Sequence, residues 1–184
     1  MKKHIITITG DIASGKSKVA NLLAERLKYT RFSNGDYFRK LALEKNMNVN
    51  EFQTYVNNNP DIDLMIENNA VEFSKINDKV IFDGRMAFYS IPESFKIFLK
   101  VDIDTAATRV YTDLTRKKSE DYLNIEETKS SIILRSELEK ERFIKLYNID
   151  KFDLKNYDYV LDTTNLTIDE VTDLIIQNYL EWLE

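Results

Sequence analysis

Eight residues near the start of the chain, GDIASGKS at 10–17, constrain the fold more than any other stretch. The chain has four glycines, and two of them, Gly10 and Gly15, fall within this segment. An apolar run, HIITIT, precedes the segment, and a helical pattern, KVANLLAERL, follows it. Glycines at such a turn let backbone N–H groups curl around an anion, because there is no Cβ to obstruct the curl. The segment therefore predicts a phosphate-binding loop between a strand and a helix.

The pattern G-x-x-x-x-G-K-[ST] also assigns roles to its side chains. We expect Lys16 to reach the β- and γ-phosphates of a nucleotide and Ser17 to ligate Mg²⁺. The helix beginning at Lys16 adds the positive end of its dipole. The residues predicted to contact the nucleotide are Gly10, Asp11, Ile12, Ala13, Ser14, Gly15, Lys16, Ser17 and Lys18.

Five short β-rich runs alternate with helical patterns along the whole chain. Most of these runs are almost continuously apolar, which is typical of strands buried on both faces of a parallel sheet. The alternation predicts an α/β fold with a five-stranded parallel sheet flanked by helices, in one domain over residues 1–184. The expected strands are 4–9, 29–33, 79–84, 95–101 and 157–163.

Composition excludes several classes of function. The formal net charge of -5 disfavours general binding to nucleic acids or membrane surfaces. The chain contains no cysteine, which excludes disulfides and thiolate metal sites and fits a reducing compartment. Its first apolar run is too short for a signal peptide or a membrane span. We therefore expect a cytoplasmic protein that binds neither nucleic acid nor membrane, and a monomer, because no long exposed apolar stripe is evident.

The other two glycines, Gly35 and Gly84, follow the second and third predicted strands. In a doubly wound sheet both positions face the crevice at the carboxyl ends of the strands, where ligands bind. Arg39 and Arg85 lie close to these glycines in sequence. Asp83, at the end of the third strand, is suited to an outer-sphere contact with a metal beside Ser17, although a simple turn cap is the alternative.

A charged stripe lies on the helix predicted near 125–147. Arg135, Glu139 and Arg142 follow i, i+4, i+7 spacing and share one helix face. A salt-bridged solvent-exposed face would produce the same pattern. Arginine favours a binding role because its planar guanidinium can bind phosphate through two hydrogen bonds.

Taken in order, these segments resemble the cytidylate kinases, in particular the short archaeal-type subgroup. The resemblance covers nearly the whole chain and includes the phosphate loop, SNGDYFRKLA, NPDID, DGR, RSELEKERFIKLYNID and YDYVLDT. It implies a P-loop kinase that uses ATP with Mg²⁺ to phosphorylate CMP or dCMP. It also implies a core at about 1–35 and 79–184, a helical acceptor-binding insert at about 36–76, and a lid at about 113–124.

The resemblance further implies roles for individual residues. Catalysis would involve Lys16, Arg109, Arg135 and Arg142, with Arg109 reaching the transferring phosphates from the lid. The acceptor nucleotide would contact Ser33, Gly35, Asp36, Arg39, Gly84, Arg85, Arg135, Glu139 and Arg142.

The sequence departs from the family pattern in the lid and leaves alternatives open. Asp113 stands where the family usually has a second basic residue, so Arg116, Lys117 or Lys118 would have to replace it. Leu138 also stands where the subgroup often has a polar residue. One alternative is another small P-loop kinase, such as an adenylate, other nucleoside monophosphate, shikimate or gluconate kinase. Another is an ATP-binding regulator without catalytic activity.

Overall fold

The computed structural model describes residues 4–47, 49–114 and 122–184. It contains strands β1 to β5 and helices α1 to α8. The strands are β1 Ile5–Gly10, β2 Thr30–Ser33, β3 Val80–Asp83, β4 Phe95–Lys100 and β5 Tyr159–Asp162. The helices are α1 Lys16–Leu27, α2 Asn34–Glu44, α3 Val49–Asn57, α4 Pro60–Ile76, α5 Ala87–Ser90, α6 Ile103–Thr112, α7 Ile125–Tyr147 and α8 Ile168–Leu183.

The five strands form one parallel sheet in the order β2-β3-β1-β4-β5. This confirms the predicted α/β class and all five strands, with ends shifted by no more than two residues. β1 lies in the centre and is buried along its whole length. Its Ile8 pairs with Asp83 on one side and with Ile97 on the other. Because all strands are parallel, the loop after β1 and the ends of β2 and β3 meet at the same edge of the sheet.

Helices cover both faces of the sheet. On one face, α1 and α8 pack onto β1 and β4 through a cluster that includes Leu23, Ile175 and Tyr179. Trp182 of α8 packs against Phe95. On the other face, aromatic residues of α5, β4 and α7 pack together; they include Phe88, Phe98 and Phe143.

Three helices, α2, α3 and α4, follow one another between β2 and β3, and they have a small apolar core of their own. Phe52 and Val56 are buried there with Ala42. Helix α2 begins at Asn34, two residues before the predicted start of the insert. Ser33 caps it, because its hydroxyl accepts a hydrogen bond from the Asp36 N–H at 3.2 Å. Pro60 occupies the first turn of α4, where its missing N–H costs no helical hydrogen bond.

The predicted lid falls largely beyond the described part of the chain. Asp113 caps α6 at its carboxyl end. The candidate replacements for the missing basic residue, Arg116, Lys117 and Lys118, lie outside the described residues. Across the described ranges, every helix is too short or too polar to cross a membrane.

Gly10 is the position where a side chain would disturb the fold most. Its φ is +156°, and a Cβ there would lie 2.3 Å from the Leu99 carbonyl oxygen of β4. We predict that Gly10→Ala lowers the free energy of unfolding by about 3 kcal/mol, because β1 and β4 would have to separate. Chemical denaturation would measure this loss in the free energy of unfolding, and the m-value should be the same in the variant and the wild type.

Gly35→Ala is the matched control for this substitution. The nearest atom to a Cβ at Gly35 is 3.6 Å away, and the residue lies in the first turn of α2. Its effect should be within about 1 kcal/mol, because alanine favours the helix. Equal losses for the two variants would contradict this account of the strand contact.

Candidate active site

The phosphate loop is anchored to strand β4. The Asp11 N–H donates to the Leu99 carbonyl at 2.9 Å, and the Asp11 carboxylate accepts from the Val101 N–H at 3.1 Å. Within the loop, the Ser14 hydroxyl donates to the Asp11 carbonyl at 2.9 Å. These bonds hold the loop at the carboxyl edge of the sheet.

The rear of the loop contacts the end of β5 and helix α6. The Thr163 hydroxyl donates to the Ser14 carbonyl at 3.1 Å. The Arg109 guanidinium donates to the Ala13 carbonyl at 3.1 Å and to the Thr163 carbonyl at 2.9 Å. Ala13 and Gly15 have φ values of 63° and 90°, so the loop bends through left-handed conformations. Arg109 belongs to α6 and supports the loop from behind, and its contact with the transferring phosphates stays a prediction.

Lys16 spans the loop that precedes it. Its Nζ donates to the Gly10 carbonyl at 3.0 Å and to the Asp11 carbonyl at 2.7 Å. Burial lowers the pKa of Lys16 from 10.5 to about 8, and the charge of Lys151 acts in the same direction. Bound phosphates would supply the negative charge that favours the ammonium form. Ser17 and Lys18 follow on the exposed side of the first turn of α1.

The residues around the loop are compatible with a Mg²⁺ ion that binds together with the phosphates of a nucleotide. Mg²⁺ takes oxygen ligands and is commonly held by few protein groups plus substrate phosphates. The exposed Ser17 hydroxyl offers an oxygen of this kind, and its contact with Mg²⁺ stays a prediction. Within the described ranges, no group of three or more acidic, histidine or cysteine residues could hold a metal ion by itself. Asp83 is engaged in an ion pair, and its role near the metal stays a prediction.

That ion pair involves Arg31, a site residue that the sequence analysis did not identify. Arg31 Nη2 lies 2.5 Å from Asp83, and Nη1 lies 2.9 Å from Asp36. Asp36 also pairs with Arg39 in the first turns of α2. Burial raises the pKa of Asp36, but its bonds to Arg39 and Arg31 outweigh this and lower it. Arg31 gave no signal in the sequence, because one arginine within a short edge strand is usually solvent-exposed.

The stripe on α7 is not a solvent-exposed face. The Glu139 side chain is only 9% exposed, and its carboxylate lies 2.7 Å from Lys151 Nζ and 3.4 Å from Arg85 Nε. Lys151 itself is 3% exposed in its side chain. Sequence reasoning also missed Lys151, since a lysine in the polar segment after α7 carries no pattern that indicates burial.

Three cations act on this one carboxylate. Burial raises the pKa of Glu139, but Arg85 and Lys151 outweigh it, and Lys16 adds to them, so the pKa is held at about 2. Glu139 therefore connects the phosphate loop, the end of β3 and helix α7 electrostatically. Asp83 also acts on Lys16, and Asp11 acts on Lys151, so the cations at the loop lie among several carboxylates.

Arg142 joins α7 to the helical insert. Its Nη1 lies 3.6 Å from the Asp63 carboxylate and 3.4 Å from the Asn57 side-chain oxygen. Arg135 lies two turns earlier on α7 and is partly buried. The structure thus brings Arg85 and Glu139 to the loop, places Arg39 on α2, and links Arg142 to α3 and α4.

A further polar group, Glu67 on α4, also escaped the sequence analysis. Its carboxylate accepts from the Asn34 side-chain amide at 2.9 Å and from the Ser90 hydroxyl at 3.1 Å. Burial raises the pKa of Glu67 from 4.5 to about 7. The sequence feature that could have indicated Glu67 is its i, i+4 spacing from Asp63, which places two acidic residues on one face of α4.

A phosphate loop on this five-stranded parallel sheet, with helices inserted after β2, defines a P-loop kinase. Solved structures share this fold. Shikimate kinase from Bacteroides thetaiotaomicron superposes with a TM-score of 0.65 at 18% identity, covering 96% of this chain and 98% of that one. At this identity the likeness shows the fold alone.

Sequence comparisons identify the family. The model of the cytidylate kinase-like family matches residues 5–165, and the chain belongs to that family. The cytidylate kinase of Thermoplasma acidophilum is 35% identical over 162 residues, covering 86% of this chain and 82% of the relative. The cytidylate kinase of Methanocella arvoryzae is 33% identical over 173 residues, covering 94% and 95%.

The buried pair of Lys151 and Glu139 predicts a stability effect. Lys151→Met should lower the free energy of unfolding by about 3 kcal/mol, because Glu139 would remain buried with only the longer contact to Arg85. Lys145→Met, at an exposed position of α7, should change it by no more than about 0.5 kcal/mol. Denaturant titration at neutral pH measures both.

Two further measurements separate the ion pair from packing. Lys151→Met combined with Glu139→Gln should recover part of the loss. The pKa of Glu139 is lowered, so its contribution is full above its ordinary value of 4.5 and is lost as the pH falls towards about 2. The wild-type protein should therefore lose more stability across this window than Glu139→Gln. Parallel pH curves for the two proteins would contradict the ion-pair account.

Proposed function

We propose that this protein transfers the γ-phosphoryl group of ATP to CMP or dCMP, giving ADP and CDP or dCDP. The observation that carries the proposal is the arrangement of Arg85, Arg142 and Glu139 opposite the phosphate loop in a chain that belongs to the cytidylate kinase-like family. Several relatives that cover most of the chain, among them those of Thermoplasma acidophilum and Methanocella arvoryzae, are named cytidylate kinases.

The donor side of the reaction is the loop at 10–17. Its backbone N–H groups and Lys16 would bind the β- and γ-phosphates of ATP. Ser17 would hold Mg²⁺, which when bound supplies charge neutralisation between these phosphates. Arg109 supports the loop through the Ala13 carbonyl and so fixes the donor geometry.

The acceptor side is built from one arginine on α2, one directly after β3 and two on α7. Two anionic substrates repel each other, so cations must offset their charges before the reacting atoms can align. Arg39, Arg85, Arg135 and Arg142 would hold the acceptor phosphate. Glu139 holds Arg85 in the cleft through their 3.4 Å contact.

The chemistry requires no strong general base. The attacking oxygen belongs to a phosphate that is already ionised at neutral pH, so positioning and electrostatic stabilisation suffice. This fits the location of the single histidine, His4, at the amino end of β1, where it bonds to Asp78 at the opposite edge of the sheet from the loop. Closure of the lid and insert over the cleft would exclude water and limit ATP hydrolysis.

A substrate panel tests the proposal. Purified protein is incubated with MgATP and one of CMP, dCMP, UMP, AMP, GMP or shikimate, and ADP release is followed. We expect CMP or dCMP to give the highest kcat/KM. A preference for AMP, GMP or shikimate would contradict the proposed acceptor class, and ATP binding without transfer to any acceptor would indicate a regulator.

Arg142→Ala tests the acceptor site directly. Loss of a guanidinium–phosphate contact in a closed site costs on the order of 2–4 kcal/mol of transition-state stabilisation, or about 30- to 1,000-fold in kcat/KM for CMP. The KM for ATP should change little. Arg26→Ala is the control, since Arg26 pairs with Asp169 and Asp173 on α8. Unchanged CMP kinetics in Arg142→Ala would remove this residue from the acceptor site.

A further inference from the structure

Beside the arginines, a cavity of about 780 Å³ lies between α4, α5 and the end of α7. Its size falls within the range of about 300–1,000 Å³ that is typical of small-ligand sites. Lys96, the second residue of β4, also lines the cavity, so the cavity leads away from the edge of the sheet that carries the phosphate loop. The cavity walls combine apolar groups with a few polar ones, which include Glu67, Ser90 and Tyr147.

The Glu67 carboxylate is held in a fixed orientation at this cavity. One of its oxygens accepts from the Asn34 amide at 2.9 Å, and the other accepts from the Ser90 hydroxyl at 3.1 Å. Each carboxylate oxygen has two lone pairs, so one donor apiece leaves both oxygens able to accept another hydrogen bond. The partners of Glu67 are a neutral amide and a neutral hydroxyl. A ligand that presents an N–H group would therefore complete the coordination of this carboxylate.

Another residue that lines the cavity carries a hydroxyl with no hydrogen-bond partner within the described ranges. The Tyr147 hydroxyl is buried and makes no hydrogen bond with any residue in the described ranges. Buried hydroxyls nearly always have a partner, so its isolation points to a ligand with a hydrogen-bonding group. Glu67, an acceptor, and Tyr147, whose hydroxyl can donate, are both among the residues that line this cavity.

The cavity adjoins the predicted acceptor-phosphate site. Asn34, which bonds to Glu67, packs against the end of β3: a Cβ on Gly84 would lie 3.1 Å from its amide nitrogen. Gly84 directly precedes Arg85. Asp63, one turn before Glu67 on α4, pairs with Arg142. A nucleotide whose phosphate contacts Arg85 and Arg142 would thus extend its base towards Glu67.

We propose that Glu67 determines base specificity by accepting a hydrogen bond from the exocyclic amino group of the acceptor base, so that the site selects an amino-pyrimidine over a keto-pyrimidine nucleotide. This inference rests on the proposed kinase function. Cytosine presents the N4 amino group, which a carboxylate accepts readily, whereas uracil presents the O4 oxygen at the same position. Two acceptors facing each other leave both without a donor, which penalises uracil. Burial raises the pKa of Glu67 to about 7, which agrees with a carboxylate that is shielded from water and bonded only by neutral donors.

The test compares CMP with UMP in wild-type protein and in Glu67→Gln. The two nucleotides match in size and differ at the amino-for-carbonyl position and at the protonation of the neighbouring N3. Glutamine keeps the shape of the side chain but adds an amide N–H, which can pair with uracil O4. The ratio of kcat/KM for CMP to that for UMP should fall about 10- to 100-fold in Glu67→Gln. The affinity for MgATP should not change.

Glu72→Gln is the matched control, because Glu72 lies on the same helix, is exposed, and pairs with Lys75. Its CMP to UMP ratio should equal that of the wild type. Ser90→Ala provides a second test that does not alter the acid: releasing one oxygen of Glu67 should lower the ratio by a smaller factor, about threefold.

The outcomes separate this inference from the proposed function. If wild-type protein phosphorylates CMP but Glu67→Gln and Ser90→Ala keep the wild-type ratio, base reading by Glu67 is wrong and the kinase function stands. Equal losses for CMP and UMP in Glu67→Gln would also overturn it, because they indicate a structural role. If wild-type protein phosphorylates no nucleoside monophosphate, both proposals fail.

Discussion

The close approach of strands β1 and β4 at Gly10 is the constraint on which the active site depends. The backbone of β4 lies so near that a single methyl group at Gly10 would meet the Leu99 carbonyl at 2.3 Å. The same carbonyl accepts from the Asp11 N–H, so the loop leaves the sheet already bonded to its neighbour. The positions of Lys16 and Ser17 follow from this anchor, because α1 begins directly after the loop.

Around this anchor, buried charged side chains are paired with side chains of opposite charge. Glu139 lies among Arg85, Lys151 and Lys16, and Asp83 is paired with Arg31. Burying a charge is costly unless it is paired, and the pairs of Arg31 with Asp83 and of Arg85 with Glu139 join elements that are distant in sequence. The cation set is thereby held at the carboxyl edge of the sheet before any substrate binds. Such preorganisation reduces the reorganisation that phosphoryl transfer would otherwise require.

The helical insert contributes a different kind of group. Glu67 is bonded by neutral partners beside a cavity, and Tyr147 contributes a hydroxyl without a partner there. Residues in ion pairs therefore surround the predicted position of the phosphate. At the predicted position of the base, hydrogen bonds from neutral side chains orient Glu67. This division suits a ligand that is anionic at one end and neutral at the other, as a nucleoside monophosphate is.

The fold class, the five strands and the phosphate loop could all be predicted from the sequence. Apolar runs, glycine spacing and the strand–loop–helix order are local signals, and local backbone physics acts on them directly. The sequence also indicated Arg85, Glu139 and Arg142, through a strand exit and helix periodicity. It did not indicate Arg31, Lys151, Glu67 or Asn34. Each of these is an ordinary polar residue in its own segment and becomes part of the site only through a partner more than ten residues away. Burial and pairing across such separations arise from packing of the sheet and helices, so only the tertiary structure could decide them.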